Sequence, residues 1–269
     1  MKRKIKTFLF SMILFCLLMI FHAFSAGYLA SSIPVIADAR PHVTLPILMY
    51  HGITEDASKI GEYTISASTF ESDLIWLKDN GYTTISAKQL IDYVEKGSAL
   101  PSKPVLITFD DGYVNNYTLA FPLLKKHNMK AIISIIGSES NIPIEVASSE
   151  LIEFGNHTYN LHSNDGSRKG ADKLPNETDD AYAYVLTGDL LKTQEIIKER
   201  TGYTPVVFAW PYGAYPMDGT GDNILKDIGF KITLTSYQIN NTIYQGNPDS
   251  LYGLKRFLRT PGFDMNKII

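Results

Sequence analysis

Two aspartates, Asp110 and Asp111, stand side by side between the apolar residues 105–109 and Gly112. Adjacent carboxylates in a closed site repel when both are ionised, unless a cation neutralises one of them. A metal on one and a free base on the other is the economical arrangement; the plain alternative is a strand-ending Asp-Asp-Gly turn. Further along, His157 and His162 follow an apolar run at 151–154 and a Gly155-Asn156 pair. Five positions amount to about 140° around a helix, and on a strand they put the two rings on opposite faces. No regular element lets them share a ligand, so joint metal ligation requires a loop, the alternative being two solvated loop histidines. His51-Gly52 closes the run at 46–50, and Pro211-Tyr212-Gly213 closes the run at 206–210. The single cysteine, Cys16, lies in the N-terminal apolar stretch. Any metal site must therefore be built from His, Asp and Glu.

Strand-like runs at 46–50, 105–109, 131–136, 151–154, 206–210, 232–235 and 254–258 alternate with stretches of helical spacing. The latter are 69–80, 87–96, 116–127, 187–201 and 222–228, with Ser68 and Asp222 as expected N-caps and Gly81, Gly202 and Gly229 as stops. Residues 165–180 read as a long polar surface loop. Such alternation predicts a mostly parallel α/β sheet, open or closed into a barrel. In that architecture chemistry gathers at the C-terminal ends of strands. Four runs thus deliver polar residues to one mouth.

The chain of 269 residues is 45% apolar and 20% charged, with a formal charge of −3. Four basic residues, Lys2, Arg3, Lys4 and Lys6, lie in the first six positions, which leaves 21 basic against 28 acidic residues in the rest. An acidic body offers no field for phosphate backbones, so nucleic acid is not an expected partner. A run of apolar residues at 8–24 and small residues at Ala23, Ser25 and Ala26 follow the basic cluster. This order predicts a secretory signal or membrane anchor over 1–26 and a linker over 27–42, and the strand–helix alternation that follows needs one domain over 43–269. The protein is expected to be exported (secreted, at the cell surface or anchored), a monomer, and in contact with a membrane only through that N-terminal segment.

Taken together, these motifs resemble the polysaccharide deacetylase family, of the NodB-homology, carbohydrate esterase type. The resemblance rests on Thr-Phe-Asp-Asp-Gly at 108–112, His-Thr-Tyr-Asn-Leu-His at 157–162 and Phe-Ala-Trp-Pro-Tyr-Gly at 208–213, and it covers the chain from Leu45 onward. It implies a distorted or incomplete (β/α) TIM-like barrel. Two departures stand out. The commoner spacing has one residue fewer between the histidines, and no histidine follows His162 to serve as the family's late catalytic one. Both, with Met-Tyr-His-Gly-Ile at 49–53, are similar to the branch acting on poly-β-1,6-N-acetylglucosamine, where an early histidine replaces the late one.

The resemblance implies Asp111, His157 and His162 as ligands of a divalent metal, zinc first, with cobalt or nickel also suited to such ligands. It makes Asp110 the general base and the backbone N–H of Tyr212 an oxyanion donor. His51 becomes the acid for the leaving amine, the usual donor near neutral pH. The family's third motif often carries an arginine that orients the base; Ala209 stands there, and Arg256 is the candidate substitute, against a structural ion pair. Trp210, Tyr113 and Tyr159 are candidates for stacking on sugar rings, against a core role.

The implied activity is metal-dependent removal of N-acetyl groups from an extracellular N-acetylglucosamine polymer, such as poly-N-acetylglucosamine or peptidoglycan. Three other readings remain. Two histidines and one carboxylate also form the facial triad of non-haem iron oxygenases. A non-catalytic glycan-binding module is possible on the same fold, and an O-acetyl esterase would use the same residues.

Overall fold

A computed structural model describes residues 40–166 and 168–268. The expected signal or anchor, and the linker up to residue 39, lie outside the described residues. In chain order the elements are β1 (His42–Leu45), β2 (Ile47–Tyr50), β3 (Gly52–Thr54), β4 (Thr64–Ser66), α1 (Ala67–Asp79), β5 (Thr83–Thr84), α2 (Ala87–Lys96) and β6 (Pro104–Phe109). A π-turn at Asn116–Ala120 leads into α3 (Phe121–His127), followed by β7 (Ala131–Ile135), α4 (Ile144–Ala147), β8 (Ile152–Asn156) and α5 (Asp179–Thr201). The chain continues through β9 (Val207–Ala209), α6 (Thr220–Asp227), β10 (Ile232–Leu234), β11 (Asn241–Tyr244) and β12 (Phe257–Leu258).

The main sheet runs β10-β9-β8-β7-β6-β2-β12, with β5 beside the start of β6, and every pairing is parallel. Its two ends approach through one parallel bridge, Leu234–Leu254, where Thr235 N–H donates to the Leu254 carbonyl at 2.7 Å. The result is a curled, incompletely closed barrel. Strand β6 is buried along its whole length, as a strand covered on both faces must be. Its residues alternate sides: Val105, Ile107 and Phe109 pack with Phe70 and Leu74 of α1 and Leu124 of α3, while Leu106 packs with Ile47, Ile132 and Leu90 of α2. The same period of two puts Thr108 and Asp110 on the side of Leu106. A third cluster joins Phe208 and Trp210 to Leu186 and Leu190 of α5 and Leu225 of α6.

Several local expectations are corrected. Helix α5 starts at Asp179 rather than residue 187, because Thr178 caps it by accepting from Ala181 N–H at 3.2 Å and two acids fill its first turn. The polar loop is correspondingly shorter. The N-cap of α1 is Ser66, which accepts from Thr69 N–H, not Ser68. Asp222 lies inside α6 and is buried, accepting from Tyr215 Oη at 2.5 Å and Thr233 Oγ1 at 3.3 Å. His42 belongs to β1, which pairs antiparallel with the unforeseen β11, rather than to a linker. Among the described residues no helix is long and apolar enough to cross a membrane.

Candidate active site

Strand β6 ends where Asp110 N–H donates to the Tyr50 carbonyl at 3.0 Å. Asp111 then takes φ 70° and Gly112 φ 70°, which turns the chain sharply at the barrel mouth. Only glycine suits position 112: besides its left-handed backbone, a Cβ there would lie 2.7 Å from Ile135 Cγ2. Asp110 is buried and gripped from behind by Arg256. Nη1 donates to Oδ1 and Nη2 to Oδ2, each at 2.7 Å, and Nε donates to the Thr235 carbonyl at 2.8 Å. Burial opposes ionisation of Asp110, but the charges of Arg256, His157 and His51 outweigh it and hold the carboxyl below its usual range.

Asp111 Oδ1 lies 3.5 Å from His157 Nε2 and 3.3 Å from His162 Nε2, and one ligand atom from each of the three residues falls within 4.8 Å of the others. The Oδ1 atom is buried with no hydrogen-bond partner among the described residues. His157 Nδ1 lies 2.8 Å from the Ala209 carbonyl, which can only accept. Nδ1 therefore carries the proton, and Nε2 presents a lone pair to Asp111. An orphaned carboxylate oxygen facing imidazole nitrogens is a donor set that fits a divalent cation. The loop that sequence spacing required is present: β8 ends at Asn156, and Thr158 reverses the chain at φ 73°. Burial lowers the pKa of His157, yet Asp110 and Asp111 reverse this and raise it.

His51 follows β2, its carbonyl accepting from Asn116 Nδ2 at 2.6 Å. Its Nδ1 is buried without a partner among the described residues, and burial lowers its pKa against the pull of Asp110 and Asp111. Tyr212 sits in a tight turn at φ 56°, with its hydroxyl 3.4 Å from His162 Nδ1. Gly213 beside it passes so close to Ser236 that a Cβ would meet Oγ at 1.9 Å. One cavity of about 670 Å³ brings together His51, Asp110, Asp111, His157, His162, Tyr212 and Arg256.

The aromatic rim differs from expectation. Tyr113 is exposed and lines the cavity. Trp210 borders it too but is only 1% exposed, packed edge-on against Phe208 and Tyr215, so no indole face is open for stacking. Tyr159 is not among the cavity residues; its ring lies under Lys192 of α5 instead. Tyr63, which sequence reasoning passed over, lines the cavity half-exposed and meets the His51 ring edge-on at 5.0 Å. No local pattern marks Tyr63; only the pairing of β3 with β4 carries it there.

Sheet and site define the class: a curled parallel α/β barrel with a two-histidine, one-aspartate cluster beside an arginine-held carboxylate at its mouth. The chain belongs to the polysaccharide deacetylase family, whose profile matches residues 97–233. It is 27% identical over 231 residues to poly-beta-1,6-N-acetyl-D-glucosamine N-deacetylase of Escherichia coli strain K12, covering 72% of this chain and 34% of that protein. The chain thus spans about a third of that relative's length. Among solved structures, a de-N-acetylase from Aggregatibacter actinomycetemcomitans superposes with a TM-score of 0.70 at 28% identity, over 84% of this chain and 98% of that one. IcaB from Ammonifex degensii gives 0.68 at 28% identity, over 81% and 92%.

Proposed function

We propose that the protein is a metal-dependent hydrolase that removes N-acetyl groups from an N-acetylglucosamine-containing polysaccharide outside the cytoplasm. The observation that carries the reading is the convergence of Asp111, His157 and His162 beside the Arg256-held Asp110 in one open cavity. The names of the relatives make poly-β-1,6-N-acetylglucosamine the first substrate to try. The basic-then-apolar N-terminal sequence supports export.

Asp111, His157 and His162 would hold the cation, with zinc the first choice. When bound, it would make water a better nucleophile and polarise an acetyl carbonyl. Asp110, with its oxygens fixed by the Arg256 fork, is oriented to take a proton from the attacking water. The Tyr212 N–H, on the turn where Gly213 passes close against Ser236, serves the charge that develops on the carbonyl oxygen. His51, on the wall of the same cavity, would supply a proton to the departing amine, which leaves poorly as an anion.

The test is release of acetate, with matching new primary amines, from β-1,6-linked N-acetylglucosamine oligomers, peptidoglycan and chitin oligomers. Release that stops on chelation and returns with zinc is the expected result. Glycan binding that survives chelation, without acetate release by metal-loaded protein, would overturn it in favour of a binding module.

A further inference from the structure

The loop from His157 to His162 carries two candidate ligands, but its two ends are held very differently. His157 is fixed on its own account: its N–H donates to the Ile135 carbonyl at 2.9 Å and its Nδ1 is tied to Ala209. His162 has a looser setting, ten times more exposed at its side chain (20% against 2%), with Tyr212 as a neighbour at 3.4 Å. Between them the chain reverses at Thr158, a β-branched residue in the left-handed region. A β-branched residue at positive φ is strained, and such strain persists only where surrounding contacts over-determine it.

Those contacts come largely from helix α5. Asp189 is buried, and its two oxygens each accept from the loop: Oδ1 from Tyr159 N–H at 2.6 Å and Oδ2 from Asn160 N–H at 2.9 Å. Asn156 accepts from Thr158 N–H at 2.8 Å and donates to the Leu190 carbonyl, the next residue of α5, at 2.9 Å. On the opposite side, Gly137 N–H and Ser138 N–H donate to the Thr158 and Tyr159 carbonyls. The amides of Tyr159 and Asn160 both lie between the strained turn and His162. Backbone N–H groups drawn out of a regular element need acceptors, and here one carboxylate serves two of them.

We propose that Asp189 is the positioning residue for His162: its carboxylate, anchored on α5, locks the reversed turn that carries the second imidazole to Asp111. The inference rests on the reading of Asp111, His157 and His162 as a metal site.

The test is zinc affinity, by competition with a chromophoric chelator, for the wild type, Asp189→Asn, Asp111→Ala and Glu153→Gln. Asparagine at 189 turns one acceptor into a donor facing an N–H, at nearly constant volume. The control, Glu153, is a partly buried carboxylate that likewise accepts backbone N–H groups, from Ala87 and Lys88 of α2. Asp189→Asn should bind zinc about 10- to 100-fold more weakly at unchanged stoichiometry, while Glu153→Gln matches the wild type. Equal affinity in Asp189→Asn and wild type, with loss in Asp111→Ala, would overturn this inference alone. Wild-type zinc binding that is absent or indifferent to Asp111→Ala would overturn the metal reading with it. Hydrogen exchange on the wild-type protein decides the matter even if Asp189→Asn fails to fold. Slow exchange at Tyr159 and Asn160 supports the anchor, and exchange at unstructured-peptide rates refutes it.

Discussion

Arg256 and Asp110 meet fork to fork, two N–H···O contacts at 2.7 Å, across 146 residues of sequence and with both side chains buried. The arginine arrives from the segment just before β12, on the far edge of the curled sheet from β10, and its Nε reaches back to Thr235 beyond β10. One side chain thereby ties together the two ends of an incompletely closed barrel and fixes the orientation of the proposed base.

Replacing Arg256 should therefore separate orientation from charge. Lysine keeps the charge but cannot offer a bidentate fork, so Arg256→Lys should lower kcat at least about tenfold while zinc content stays unchanged. Arg256→Met leaves Asp110 buried and unpaired, a change worth about 3–5 kcal/mol of stability, measurable by urea unfolding. A lysine variant with wild-type turnover would show that the fork does not orient the base.

The two neighbouring carboxylates should divide their roles. Asp111→Ala is expected to lose bound metal and acetate release together. Asp110→Asn should keep the metal and lose turnover, because an amide cannot accept the proton. Metal analysis beside acetate assay on both variants checks this, and equal metal loss in the two would show that the division into ligand and base is wrong.

His51→Ala should retain metal and glycan binding and lower kcat by about 10²–10⁴, the usual worth of a positioned acid. The loss should be smaller on an activated acetyl ester, whose leaving group hardly needs a proton. Identical losses on amide and ester substrates would exclude His51 as the acid.

At the start of β8, Glu153 accepts from the first backbone N–H groups of α2. Burial raises its pKa despite those bonds and the nearby Lys130. A folded-state pKa above the unfolded one means that the folded chain binds more protons in that window, so stability falls as pH rises through it. Glu153→Gln, which still accepts a hydrogen bond and never ionises, should gain on the wild type in Tm as pH climbs from the ordinary glutamate range, then level off. Relative to Glu153→Gln, which does not titrate either, Glu153→Ala should cost about 1–3 kcal/mol at any pH through the unsatisfied amides. A pH-independent difference between Gln and wild type would contradict the linkage.

Local chemistry was legible without any fold. The Asp-Asp-Gly turn, the loop demanded by His157 and His162, and the polar residues closing runs 46–50 and 206–210 follow from strand periodicity and turn propensity within a few residues of chain. The parallel alternation of strands and helices followed in the same way, since each element's apolar period is written in its own segment. The start of α5 is not legible locally, because Asp179 and Asp180 are loop-like residues that become helical only under the Thr178 cap. Strands β1 and β11 carry no local signal, because each is short and becomes a strand only through the other, 196 residues away at Leu45 and Asn241.

What tertiary structure alone decided are the partnerships between distant segments. No spacing rule connects Arg256 to Asp110, Asp189 to the amides of Tyr159 and Asn160, or Tyr63 to His51. Trp210 and Tyr159 show the converse: their aromatic identity and their place beside the motifs suggested a sugar platform, but packing against Phe208 and Tyr215 encloses the first, and the loop's attachment to α5 turns the second away. Sequence records which groups a segment can offer, because propensity and periodicity act over a turn of helix or a few residues of strand. Which of those groups meet is set by the curl of the sheet and the burial it enforces, and that depends on all of the packed segments at once.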